Sequence, residues 1–277
     1  MSILQIALTK RWLGYFAVTV VFAVICSLLG VWQWNRREEA VAAIERIENN
    51  YDAAPVSLDE ALPDRDSFRP DDEWQPVAVS GEYLLDEQLL VRARPRSGQP
   101  GFEVIVPLRL DDGGLVIVNR GWLPVGSAQD SPDVVPAAPS GRVDVVGRIR
   151  PSEPTIPGRG APDGQIATIH LPTIADNLGD DVVEGAYLQL ADESPSPATT
   201  PLAAARPEIN EGPHLSYTFQ WYVFALLGFI GFGWAIRQEL RVLRAAETGE
   251  PVPPPKRRRA GPTDDEEEDA LLDAAAR

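Results

Sequence analysis

The segment Pro213-His214-Leu215-Ser216-Tyr217-Thr218-Phe219-Gln220-Trp221-Tyr222 carries the residues best suited to bind a group. His214 is one of only two histidines and stands at the mouth of an uncharged run that ends at Ile236. Residues three, four and seven apart share a helix face, which aligns His214 with Tyr217, Thr218, Trp221 and Ala225. A neutral imidazole at a dry, aromatic-lined boundary can ligate haem iron axially. Capping a helix start and hydrogen bonding at an interface are its commoner uses, and residue chemistry leaves all three open.

A second grouping, Gly30-Val31-Trp32-Gln33-Trp34-Asn35-Arg36-Arg37, closes an earlier uncharged run. Its bland reading is an aromatic belt, with Gln33 and Gln220 as interhelical hydrogen-bond partners. Arg36, just past the run, can snorkel to a lipid phosphate or meet a carboxylate. Elsewhere the chemistry is sparse. His170 lies in no metalloprotease or deaminase spacing. Gly158-Arg159-Gly160 sits in a proline-flanked loop, without the strand and helix that a nucleotide-binding glycine loop needs. Acids are too many on this chain for any pairing of them to be specific. No catalytic constellation emerges, so the expectation is a protein that is not an enzyme.

The elements that position these residues follow from hydropathy. Trp12 to Trp34 is 23 residues without a charge and Leu215 to Ile236 is 22 more. At ~1.5 Å per residue each exceeds a hydrocarbon core of roughly 30 Å, so each reads as a transmembrane helix. The first is too long for a signal peptide, and no small-x-small cleavage site follows it; Val24 and Ile25 before Cys26 exclude the lipoprotein pattern. Arg237, Arg241 and Arg244, then Lys256 to Arg259, place the end of the second span in the cytoplasm, and two crossings place the amino terminus there too. The expected layout is residues 1–11 cytoplasmic, 12–34 spanning, 35–213 outside, 214–236 spanning, and 237–277 a charged, largely disordered cytoplasmic tail. This describes a multi-pass protein of the cell membrane.

The outer segment carries 15 Arg, no Lys and 31 acids, a net of −16. Such a charge excludes nucleic acid as a partner and disfavours anionic headgroups, leaving membrane lipid to the spans. The lone Cys26 supplies no disulfide and no thiol pair for zinc, copper or covalent haem attachment. Glu38 to Asn50 continues the first span as a helix, with Ala40, Val41, Ile44 and Ile47 on one stripe. Asp64 to Asp72 reads as an exposed loop. Period-two alternation then marks strands around Val77–Tyr83, Phe102–Val106, Leu115–Arg120, Val143–Ile149 and Ala186–Leu190, with a short helix at Pro172–Leu178. Asp111-Asp112-Gly113-Gly114 provides a tight hairpin turn. The outer domain is therefore expected to be mainly β, a barrel or a strongly curled antiparallel sheet that buries its edges. Ser194 to Pro207 reads as an extended linker.

Three blocks together resemble a known family. Gly30 to Arg36, read G-x-W-Q-x-x-R, is similar to the first signature of the Surfeit locus protein family of cytochrome c oxidase assembly factors. Val118-Asn119-Arg120-Gly121-Trp122-Leu123-Pro124 looks like its central motif, and His214 to Tyr222 resembles its third, H-h-x-Y-x-x-Q-W-[FY]. Order and topology match over residues 12–240. The resemblance implies an accessory protein that helps oxidase subunit one mature alongside other assembly factors, and that holds or delivers haem a through His214. The other implied cofactor-binding residues are Trp32, Gln33, Arg36, Tyr217, Gln220 and Trp221. Arg120 can reach a haem propionate if its hairpin faces the membrane, or form a salt bridge within the acidic domain. Gly121 suits a strand end or bulge, and Trp122 a packing anchor. The alternative function is a scaffold that steadies an oxidase intermediate without touching haem.

Overall fold

Alternating segments between residues 76 and 194 build one strongly curled sheet that closes on itself. The computed structural model describes residues 3–249 apart from Gln129 and Asp180. They fall into two units, one of residues 38–212 and the other of the two terminal helical regions.

In the first region a short helix α1 (Ile3–Ala7) precedes α2 (Lys10–Asn50), a helix of 41 residues. The last helix, α5 (His214–Thr248), runs antiparallel to it. Contacts between them step evenly along both helices. Gln33 meets His214, Gly30 lies beneath the Tyr222 ring, Phe22 approaches Gly228, and Trp12 and Phe16 pack on Phe232. Arg11 is ion-paired with Glu239, and Ile6, Trp12, Ile236 and Leu240 form a small core at that end. Both helices are long and apolar enough to cross a membrane. The helix goes on 12 residues past Ile236, because Ile236, Leu240 and Leu243 form a continuing apolar stripe covered by α1. The charged blocks of the tail beyond lie outside the described residues.

In the second unit, β1 (Val56–Ser57) and α3 (Leu58–Ala61) lead to β2 (Pro76–Tyr83) and β3 (Leu89–Val91). The hairpin of β4 (Gly101–Leu110) and β5 (Leu115–Pro124) follows, then β6 (Arg142–Pro151) and β7 (Gln165–Ile166). Last come α4 (Leu171–Leu178) and β8 (Ala186–Ser194). Strand order is β1-β2-β6-β8-β5-β4-β3-β7, and an added β2–β4 pairing closes β2, β6, β8, β5 and β4 into a five-stranded barrel. All its pairings are antiparallel except β5–β8. Closure leaves none of these five strands as an open edge, and the sheet continues beyond them to β1 and to β3 and β7.

The expected turn is present: Leu110 N–H donates to the Gly114 carbonyl at 2.8 Å and Gly113 has φ +99°. Val143, Val145 and Ile149 of β6 point into the barrel, with Arg142 and Asp144 outside, as their alternation requires. On β5 both faces are buried. Val116 and Val118 face the barrel core, while Leu115 and Ile117 face a second core formed with Ile169, Leu171 and Ile174 of the α4 region.

Candidate functional site

The central motif is occupied within the barrel. Between Val104 and Ile105 the β4–β5 register shifts, so that Val104 opposes Gly121 and Ile105 opposes Asn119. Arg120 is the extra residue of this bulge, and its side chain follows Val116 and Val118 into the interior. There Nη2 donates to Glu193 Oε1 at 2.6 Å, and Nη1 reaches the Pro136 carbonyl at 3.3 Å. The Tyr83 hydroxyl donates to Glu193 Oε2 at 3.1 Å, and burial together with the Glu193 charge pushes the Tyr83 phenol far above its ordinary range. The side chains of Arg120 and Glu193 are 0% and 3% exposed. Arg120 is therefore not open to a propionate, and the salt-bridge alternative is the one the barrel realises. A guanidinium in so dry a place needs a carboxylate that is equally buried.

The rest of that motif binds the chain to itself. Asn119 Oδ1 accepts the Gly121 N–H at 3.1 Å. Gly121 has φ +126°, and a Cβ on it would overlap the Leu202 carbonyl. Trp122 exchanges both backbone hydrogen bonds with Leu202, at 2.8 and 2.9 Å, while its indole donates to the Arg94 carbonyl at 2.6 Å. Arg96 donates to the Ala203 carbonyl, and Arg206 is ion-paired with Asp52 and lies over the Tyr51 ring. Ser194 to Pro207 is thus extended but not a free linker: main-chain bonds and Arg96 hold it to the barrel, and Arg206 holds it to Tyr51 and Asp52 just after α2. Glu103, which faces Trp122 across the ladder, has its carboxyl raised by burial, with Arg94 opposing the shift.

The first and third blocks come together between α2 and α5. His214 Nδ1 and Gln33 Oε1 lie 2.9 Å apart. An amide oxygen can only accept, so Nδ1 is the donor to Gln33, and Nε2 is the ring nitrogen that Gln33 does not engage. The expected Gln33–Gln220 bond is not formed. Six residues place Gln220 about 120° around the helix from His214, so it points away from Gln33. Thr218, one turn on from His214 and 4% exposed, donates its hydroxyl to the His214 carbonyl at 2.9 Å. Gly30 admits the Tyr222 ring: a Cβ there would lie 3.0 Å from Tyr222 Cζ. Trp32, Arg36, Tyr217 and Gln220 are exposed, and Trp221 is half-buried with its ring edge-on to Phe224. Sequence reasoning missed the Gly30–Tyr222 contact, although both residues stand inside the blocks. It also missed Glu193, whose pairing with Arg120 across 73 residues leaves no local signal.

The chain as a whole is similar to known proteins. A family model described as the SURF1 family matches residues 20–226. The chain belongs to the SURF1 family. An uncharacterized SURF1-like protein of Mycobacterium bovis is 33% identical over 255 residues, 90% of this chain and 92% of its own length. A SURF1-like protein of Monosiga brevicollis is 28% identical over 231 residues, 78% of this chain and 85% of its own. The cytochrome oxidase assembly protein SHY1 of Saccharomyces cerevisiae is 30% identical over 105 residues, 36% of this chain and 25% of its own. The matched range holds all three blocks.

Proposed function

We propose that this SURF1 protein is a membrane-anchored assembly factor for haem–copper cytochrome c oxidase that holds haem a at His214 while subunit one matures. The observation that carries it is the 2.9 Å pairing of His214 Nδ1 with Gln33. A histidine that ligates a metal ordinarily donates its other ring N–H to an oriented acceptor, which fixes the tautomer and aims the free nitrogen. Gln33 is such an acceptor and leaves Nε2 for iron. Haem, when bound, would supply an iron centre and two propionates. Arg36, one turn beyond Gln33, would be the guanidinium for a propionate, and Trp32, Tyr217 and Trp221 would provide aromatic faces for the macrocycle. The name of the yeast relative supports the oxidase part of this reading.

The two long helices are the proposed spans. Their apolar windows are only 11% and 6% buried, unlike a soluble core helix, and Val18, Leu28, Phe219 and Trp234 lie exposed. The Arg11–Glu239 pair at the same end as Arg237, Arg241 and Arg244 favours both termini in the cytoplasm and the barrel outside.

The test is spectroscopic. The protein is purified from cells that make haem a, and reduced-minus-oxidised spectra are compared for wild type and His214→Ala. Haem in the first and its loss in the second support the proposal; a wild type without haem, or a variant that keeps it unchanged, removes His214 from the role. The internal use of Arg120 favours a scaffold as the second reading. In that case association with oxidase subunits survives His214→Ala.

A further inference from the structure

His170 and Arg159 have no part in that proposal, and the second unit brings them to one groove of about 280 Å³. It runs between α4, β7 and the loop at residues 155–161. Ile156, Ile166 and Ile174 supply its apolar wall, and Arg159, Gln165 and His170 its polar groups. Among the described residues no Asp or Glu lines it, although residues 35–213 carry 31 acids against 15 arginines.

Four observations define what fits there. His170 caps α4: Nδ1 accepts the Thr173 N–H at 3.2 Å and lies 2.8 Å from the Thr173 hydroxyl. The ring proton therefore sits on Nε2, as a donor. Arg159 is exposed, and among the described residues its guanidinium has no partner. Gln165 Oε1 is buried without a donor, which is costly for an acceptor unless a ligand provides one. Finally, β7 is the last strand of the sheet among the described residues: the Gly164 and Ile166 carbonyls accept from Leu90 and Arg92 N–H on the β3 side, while the Gln165 N–H donates to the Pro162 carbonyl at 3.0 Å.

We infer that this groove docks an extended, acidic segment of a partner polypeptide. Its carboxylate pairs with Arg159 and the His170 Nε2–H, a backbone N–H of the segment satisfies Gln165 Oε1, and an apolar side chain rests on Ile166 and Ile174. An extended backbone lets one segment reach Arg159, Gln165 and Ile174 along the groove. Charge selects the sequence: in an acidic domain this lining offers Arg159 and no carboxylate. The inference is independent of haem and of His214.

Fluorescence anisotropy on the full-length protein in detergent tests it, with two labelled probes, a peptide alternating Asp with Val and one alternating Lys with Val. The Asp–Val peptide binds and the Lys–Val peptide does not. Arg159→Glu, at an exposed position without a described partner, keeps the fold, weakens the Asp–Val peptide by about tenfold and gains the Lys–Val peptide. His214→Ala changes neither. Absence of Asp–Val binding, equal binding of both peptides, indifference to Arg159→Glu, or complete displacement by dodecanoate, which would assign the groove to a lipid chain, overturns it.

Discussion

A single hydrogen bond decides what His214 is prepared to do. With Gln33 as acceptor, Nδ1 donates that bond and Nε2 is the ring nitrogen left for another group. Gln33→Leu keeps the size but releases the ring; haem recovered per protein, read from the same difference spectra, is expected to fall about 10- to 100-fold. Gln33→Glu restores an acceptor and should restore the haem. The second residue-scale device is the buried Arg120–Glu193 pair. Arg120→Met leaves an unpaired carboxylate inside the barrel and is expected to cost about 3–5 kcal/mol in denaturant unfolding. Adding Glu193→Leu removes that charge but strands the Tyr83 hydroxyl, worth about 1–3 kcal/mol. The triple variant with Tyr83→Phe should return close to wild type. If the single and triple variants are equally unstable, Arg120 matters for something other than its pairing.

At the scale of elements, the β4–β5 bulge does two jobs. It turns the side-chain parity of β5, so that Arg120 and Leu123 both face the barrel, and it opens a backbone site against which Leu202 lies. Gly121→Ala places a Cβ at φ +126° and against the Leu202 carbonyl. The strain is worth about 1–3 kcal/mol, which lowers the thermal midpoint by roughly 2–10 °C. Amide hydrogen exchange at Leu202 should accelerate in the same variant, because the segment that leads to α5 is held there. Protection unchanged at Leu202 would show that the clamp does not depend on this glycine.

For the molecule as a whole, the acidic domain is stable at neutral pH because its buried ionisable groups are either paired or kept neutral. Tyr187 is of the second kind: burial raises its phenol from 10.0 to about 12. The folded state therefore holds a proton that the unfolded chain releases. Its contribution is fully present below pH 10 and is lost as pH climbs to 12, a change on the order of 2–3 kcal/mol. Tyr187→Phe has no such proton and should reduce the loss across that interval by that amount in urea titrations, the rest coming from the Tyr83 phenol that burial also holds protonated. An identical loss of stability in both proteins would remove Tyr187 from the alkaline transition.

Much of this architecture is legible in the chain itself. Two long uncharged runs, period-two alternation in β2, β4, β5 and β6, and the glycines at 113 and 114 are local signals, and secondary structure is largely a local response to them. The three sequence blocks likewise identify the SURF1 family without any coordinates. What remained for tertiary structure was partnership. No spacing tells that Gln33 faces His214 rather than Gln220, that Arg120 finds Glu193, or that Leu202 returns to Trp122. Each pairing joins residues 73 to 181 positions apart, for Arg120–Glu193 and Gln33–His214 at the two extremes. Such contacts depend on sheet register, a bulge and the rotation of one helix against another. Those are set by packing the whole chain at once, and no short stretch of sequence contains them.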